Sequence, residues 1–348
     1  MGSMGFWNIR GMNSLNKQNE IRWFLHQNNI GLFGLLETKI KGSQWVKVRN
    51  NICEHWSTCT NSGCHPGGRV WLIWQPSMYQ VDIQLVTDQC IHAHILDKST
   101  LKEFGMTMVY GFNRSHERVS LWGSLLHCAA TVTGPWIVCG DFNNVIEVNE
   151  RIGGAAVSGS EMAPMREMME QCQLTELKTV GSFYTWTNKH EIGSKVYSRL
   201  DRVLLNEEWL NVFTDSFANF LPEGLYDHCP CLISNYAMGV RKKAPFKYFN
   251  MWALAANFKE VVIAGWQINV QGTPMFQVVK KLQNLKKGLK QLDKESFSDI
   301  ENLTLITELS LKQLQEQLRL DPLNDSYCEA KHAVAEDLKN LKKARDSS

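Results

Sequence analysis

Trp136-Ile137-Val138-Cys139-Gly140-Asp141-Phe142-Asn143 predicts a buried strand that ends on a carboxylate and an amide. A carboxylate at the end of a buried strand costs desolvation energy unless it is paired, hydrogen-bonded or bound to a cation. The pattern recurs along the chain. Glu37 closes the run Leu32-Phe33-Gly34-Leu35-Leu36, and Asn8 interrupts Phe6-Trp7-Asn8-Ile9-Arg10. Asp201 lies in Ser198-Arg199-Leu200-Asp201-Arg202, and Asp227-His228 immediately precedes Cys229-Pro230. Several such groups gathered on one rim would make a hard-cation site.

Outward from these segments, residues 1–238 alternate short β-rich runs with amphipathic helices. Phe6–Ile9 and Leu32–Leu36 read as strands on either side of a helix capped by Ser14. Val70–Trp74, Tyr79–Val86, His92–Leu96 and Met106–Tyr110 predict a mostly antiparallel meander. A helix is expected over about 117–131, and a second, capped by Ser160, runs to about Cys172. Phe183–Thr187, Arg199–Leu205 and Cys231–Ser234 complete the strands. The mixture predicts a layered α/β sandwich with loops collected at strand ends.

Residues 239–348 differ. Arg241-Lys242-Lys243 forms a short basic linker, and beyond Phe258 the leucines fall at helical spacing. Leu282, Leu285, Leu289 and Leu292 are followed by Leu311, Leu314 and Leu318, then by Val334, Leu338 and Leu341, with a break at Asp321-Pro322. These helices pack on each other or on a neighbour, so helix-mediated contact through 258–345 is expected.

The chain has 348 residues, 44% hydrophobic and 21% charged, the composition of a globular protein with a sizeable core. No apolar run reaches 18 residues, and the N-terminus lacks the pattern of a secretory signal, so an intracellular protein without a membrane partner is expected. The net charge of +2 divides into −3 over residues 1–240 and +5 over 241–348. A mildly acidic first part suits a carboxylate-rich metal site better than a general polyanion binder. The ten cysteines show no CxxC pair and read as reduced thiols. Cys59, Cys64 and His65 are a weak zinc candidate, and Cys90, His92 and His94 share one strand face.

Six segments carry a resemblance. They are Trp7-Asn8-Ile9-Arg10-Gly11, Leu36-Glu37-Thr38-Lys39, Tyr110-Gly111-Phe112-Asn113, Gly140-Asp141-Phe142-Asn143, Ser198-Arg199-Leu200-Asp201-Arg202 and Asp227-His228. Any one alone is weak; six in order are a strong signal. Together they resemble the endonuclease/exonuclease/phosphatase superfamily, within it the endonuclease of plant LINE-type (non-LTR) retrotransposons, over residues 5–236. Phe249-Asn250-Met251-Trp252 and the helices after it resemble the connector that leads to reverse transcriptase in those polyproteins, and no polymerase Asp-Asp signature follows.

The resemblance implies a four-layered α/β/β/α sandwich of the DNase I-like kind with a C-terminal helical extension. It implies hydrolysis of DNA phosphodiester bonds with Mg²⁺ as cofactor and Mn²⁺ as a substitute, leaving a 3′-hydroxyl at the nick. Glu37 would bind the metal, with Asn8 beside it holding the acidic cluster in place and Asp227 close by. Asp141 would orient or deprotonate the attacking water, Asn143 would contact the phosphate, and His228, oriented by Asp201, would stabilise its developing charge. Tyr110 and Asn113 would lie near the phosphate, with Thr185 and Arg199 as weaker candidates for substrate contact. Nuclear residence would follow from a DNA substrate. Loops 114–118 and 153–160 would set target preference. An inactive remnant that only binds nucleic acid or protein is the alternative, and a phosphatase a third reading.

Taken singly, the same residues read otherwise. Asp201 pairs with Arg199 or Arg202, His228 is a hydrogen-bonded loop histidine, and Trp7, Trp71, Trp74, Trp136 and Trp186 are core aromatics. The pattern is also departed from. Arg10 stands where the DNA-repair branch has Asp, and Tyr226 stands where Ser commonly precedes the Asp-His pair, a larger side chain expected to crowd the phosphate pocket. The short leader Met1–Gly5 predicts a frayed first strand.

Overall fold

The computed structural model describes residues 3–40, 44–65, 67–190, 194–234, 257–270, 274–296, 298–321 and 324–347. The basic linker 241–243 and the Phe249–Trp252 segment lie outside the described residues. Two compact units are present: residues 1–239 together with 314–329, and residues 240–313 together with 330–348. The first unit thus takes in a segment from well beyond residue 238.

Two sheets form the middle of the first unit. One has seven strands in the order Thr179–Gly181, Phe217–Phe220, Cys231–Ser234, Ser3–Asn8, Ile30–Leu36, Val70–Trp74 and Ser57–Thr60. The other has six, in the order Thr175–Glu176, Asp201–Leu205, Trp136–Asp141, Lys102–Tyr110, Cys90–Asp97 and Tyr79–Val86. Alternation along each strand explains the layers, since successive side chains point to opposite faces. Met4, Phe6, Leu32, Leu36, Val70 and Leu72 of the first sheet meet Ile91, Ile95, Phe104, Met106, Met108, Ile137, Cys139 and Val203 of the second in one core. The intervening residues Trp7, Phe33, Leu35, Trp71 and Ile73 face outward and are covered by the helices Leu15–Gln27 and Trp45–Cys53. On the far side, Val109, Trp136 and Val138 pack under Val119–Thr131 and Gly159–Gln171. The result is an α/β/β/α sandwich with helices following it in sequence.

Local chemistry fixes several elements. Ser14 caps its helix by accepting from Lys17 N, as expected. The helix at 159 is capped by Ser158, which accepts from Glu161 N, rather than by Ser160, which lies within it. From Ser3 on, the first strand is formed, Ser3–Asn8 running parallel to Ile30–Leu36, so the described part of the leader is not frayed. Only Trp186–Thr187 of the expected strand 183–187 is a strand, paired with Tyr197–Ser198 and through it with Arg151–Ile152 in a small third sheet. Close approach to backbone requires glycine at several positions, Gly140 and Gly5 among them. At Gly140 (φ +143°) a Cβ would lie 2.0 Å from the Val109 carbonyl oxygen, and at Gly5 it would lie 2.1 Å from the Cys231 carbonyl oxygen.

The second unit has a small core of its own, Leu289 and Leu292 packed with Phe258, Val261, Val262 and Leu285, where the helices Phe258–Trp266 and Pro274–Ser296 meet. Of the leucines expected on one face, Leu282 is exposed. Among the described residues no helix is long and apolar enough to cross a membrane.

Candidate active site

Strand parity and register together build the site. Tyr110, Asp141 and Asp201 end or begin adjacent strands and are in register with one another: Tyr110 opposite Asp141, and Asp141 opposite Asp201. Each shares parity with inward-facing residues of its own strand (Met108, Cys139, Val203), so all three side chains lie on the face between the sheets. Asn8 shares the parity of Met4 and Phe6 in the opposite sheet and reaches across, donating Nδ2 to Asp141 Oδ2 at 2.8 Å. The chain at 227–229 closes the row. Thr187 N donates to Asp227 O and Cys229 N to Thr185 O, which fixes His228 between them, and Trp7 Nε1 holds the His228 carbonyl.

His228 Nδ1 lies 2.9 Å from Asp201 Oδ2, and its Nε2 lies 3.7 Å from Asp141 Oδ2. Burial lowers the affinity of this imidazole for a proton, but Asp201 and Asp141 outweigh it and hold its pKa up at about 9. Burial, then the neighbouring charge of Asp201, pushes Asp141 up to about 7, against the pull of His228 and the hydrogen bonds from Asn143 N and Asn8. A carboxylate near 7 suits proton transfer at neutral pH, and a cationic imidazole beside it suits stabilisation of a developing oxyanion. Burial first, then Glu37 and Asp141, raises Tyr110. Tyr110 therefore keeps its phenolic proton.

These groups form one end of a cleft of about 760 Å³, lined there by Arg10, Glu37, Tyr110, Asn143 and His228. Asp141, Asn113 and Asp227 also line it. Asn143, in the left-handed region (φ 49°), donates its backbone N to Asp141 Oδ1 and its side chain to the Gly111 carbonyl. Arg10 and Glu37 also have positive φ, so three of the cleft residues hold an uncommon backbone conformation. The far end is built by Ser115, Arg118, Gly154, Ala155, Ser158 and Ser160, which come from the two loops expected to set target preference.

The carboxylates meet own-chain cations. Glu37 Oε1 lies 2.7 Å from Lys39 Nζ and 3.4 Å from Arg69 Nη1, and Asp227 Oδ2 lies 2.6 Å from Arg10 Nη1. Arg69 and Lys39 went unread in the sequence. Lys39 lies two residues from Glu37 in Leu36-Glu37-Thr38-Lys39, whereas nothing local marks Arg69, whose guanidinium also faces the Tyr110 ring.

Some expectations are corrected. Thr185 does not reach the cleft: it is 1% exposed, and its Oγ1 accepts from Leu200 N and Asp201 N. Arg199 also lies outside the cleft lining, bonded to Glu176 at 3.0 Å and near Glu150. Arg202 joins the same two glutamates, so Asp201 is left to His228 rather than to either arginine. Asn8 is 1% exposed with both amide groups in use, Nδ2 on Asp141 and Oδ1 accepting from Arg10 N, which makes it a holder of Asp141. Tyr226 does not crowd the phosphate pocket: its ring stacks edge-on against Trp7, and its hydroxyl donates to Glu20. Trp186 lines the cleft, unlike the buried Trp7, Trp71 and Trp136. The cluster Cys59, Cys64 and His65 gathers no metal set, since His65 Nδ1 accepts from Gly67 N and Cys64 donates to the Val86 carbonyl. His92 is bound to Thr107, and His94 pairs with Glu103.

Comparison with known families gives a match between residues 5–225 and the Endonuclease/Exonuclease/phosphatase family. The chain belongs to this family. Members of the endonuclease/exonuclease/phosphatase family are hydrolytic nucleases or phosphatases. Among solved structures the fold is similar to an AP endonuclease from Leishmania major (13% identity, 67% of this chain and 86% of the other, TM-score 0.51). It is also similar to the endonuclease domain of TRAS1, a telomere-specific non-LTR retrotransposon (12% identity, 67% and 97%, TM-score 0.52). No curated protein sequence matches. As a family site, the donor chemistry suits a hard divalent ion: Glu37, Asp141 and Asp227 present carboxylate oxygens to one cleft. Asp141, Asp201 and His228 also lie close enough to share an ion, but Asp201 and His228 are already committed to each other.

Proposed function

We propose that this chain is an Mg²⁺-dependent endonuclease that nicks DNA and leaves a 3′-hydroxyl, in the manner of a retroelement target-site nuclease. The reading rests above all on the buried Asp201–His228–Asp141 row at the floor of a cleft edged by Glu37. Glu37, with Asp227 near it, would hold the ion, whose charge would offset that of the phosphodiester and stabilise the pentacovalent transition state. Asp141, aligned by Asn8 and by the Asn143 backbone, takes the proton of the attacking water. His228, kept cationic by Asp201, donates toward the phosphoryl oxygens. Asn143 and Tyr110 border the phosphate, and Asn113 lies beyond them in the same cleft. Arg10, Arg118 and Arg151 add positive charge to a cleft that must accept a polyanion. Mn²⁺ would substitute, and a DNA substrate would place the protein in the nucleus.

The test is conversion of supercoiled plasmid to open circle by pure protein with Mg²⁺. Wild type nicks, EDTA abolishes nicking, and Asp141→Ala and His228→Ala lose it by roughly a hundredfold or more. Release of inorganic phosphate from small phosphoesters with plasmid left intact would favour a phosphatase instead.

A further inference from the structure

Three stretches of chain converge on the catalytic row: 182–187, which carries Thr185; 195–201, which carries Asp201; and 224–228, which carries Asp227 and His228. Each is bonded to the segment Leu314–Glu329, which belongs to the same compact unit. Arg319 Nη2 donates to Ser182 Oγ at 2.7 Å. Lys195 Nζ donates to Cys328 Sγ at 2.9 Å. Gln315 Nε2 donates to the Gly224 carbonyl at 3.3 Å, at a residue with φ +57°. The contact is buried: Gln315 is 4%, Leu318 3%, Cys328 1% and Lys195 5% exposed.

We propose that residues 314–321 and 324–329 are a clamp that positions the catalytic stretches, and that Arg319, Gln315 and Lys195 are positioning residues of the hydrolytic site. The route from Arg319 to the chemistry is short. Ser182 is anchored by its own N–H to the Phe220 carbonyl, and three residues on Thr185 takes the Leu200 and Asp201 amides on its hydroxyl. Thr185 and Thr187 then bracket His228 through their bonds to Cys229 and Asp227. Stretches held by ladders of only two residues open locally at low cost unless something ties them, and a tie at each of the three lowers that opening. A displacement of about an ångström in the Asp201–His228 pair is costly for a reaction that depends on alignment.

The effect on rate rests on the nuclease reading, whereas the effect on loop order does not. Hydrogen exchange by mass spectrometry on the full chain reads the second directly. In Arg319→Ala, amides of 182–187 and 199–201 exchange about tenfold faster than in wild type, the effect of losing one charged hydrogen bond. Arg319→Lys restores most of the protection, and the exposed neighbour Glu316→Ala changes nothing. In the nicking assay Arg319→Ala lowers kcat by about tenfold and leaves KM within about twofold, since alignment rather than docking is lost. Gln315→Ala, a milder change, speeds exchange at 224–228. Faster exchange in a chain whose wild type nicks no DNA supports the clamp and overturns only the nuclease reading. Unchanged exchange at these loops in both Arg319→Ala and Gln315→Ala overturns the clamp.

Discussion

At the scale of single residues, Asp201 shows how one carboxylate sets the chemistry of another group. It is 0% exposed, its amide is held by Thr185, and one oxygen lies on His228 Nδ1. Asp201→Asn keeps the shape and removes the charge that holds the imidazole cationic. Nicking kcat should fall by roughly 10²–10⁴, with KM little changed, in steady-state assays; a kcat within twofold of wild type would mean that Asp201 has no part in the reaction. The sequence marked this residue type and its place at a strand end, but it offered Arg199 and Arg202 as nearer partners. Those arginines turn instead to Glu150 and Glu176, a choice made by tertiary packing that local spacing cannot reveal. The same holds for Thr185 and Tyr226, whose side chains turn away from the cleft toward backbone amides and Glu20.

Elements contribute faces and registers. With every position buried in Trp136–Asp141 and Asp201–Leu205, no alternation aims their aspartates inward; that the two segments are strands could be read. Their pairing could not, because register depends on bonds between strands far apart in sequence. Gly140 belongs to this scale. Its Cβ-free passage against Val109, at φ +143°, lets the strand end where Asp141 enters the site. Gly140→Ala should cost about 2–3 kcal/mol in urea denaturation, and a loss below about 0.5 kcal/mol would show that the backbone relaxes freely there. The outer face of the same sheet carries His92, 2% exposed, bonded to Thr107 and edge-on to Trp136. Burial, then neighbouring His94, depresses its pKa from 6.5 to about 4. The unfolded chain therefore binds this proton first, and stability should fall as pH drops from 6.5 toward 4, by up to about 3 kcal/mol. His92→Gln should flatten that part of the stability–pH curve measured by urea unfolding. An unchanged slope would place the acid sensitivity elsewhere.

For the whole molecule, a layered α/β sandwich followed from strand and helix periodicity, its four layers from the family resemblance, and the six segments gave the order in which the site is assembled. The part played by residues 314–329 was hidden, because leucines at helical spacing say that a helix buries a face but not against what. Ser182, Gly224 and Cys328 carry no sequence signal of their own, yet they join that segment to the loops behind His228. What the molecule as a whole is proposed to do is cut one phosphodiester bond so that the oxygen on the 3′ side leaves as a hydroxyl. That end chemistry is the most direct thing to measure: plasmid treated with the protein and Mg²⁺ is offered to a DNA polymerase with labelled nucleotides. Extension from the nicks without prior phosphatase treatment is the predicted result, absent with His228→Ala; nicks that accept no nucleotide until a terminal phosphate is removed, or no nicks at all, would contradict it.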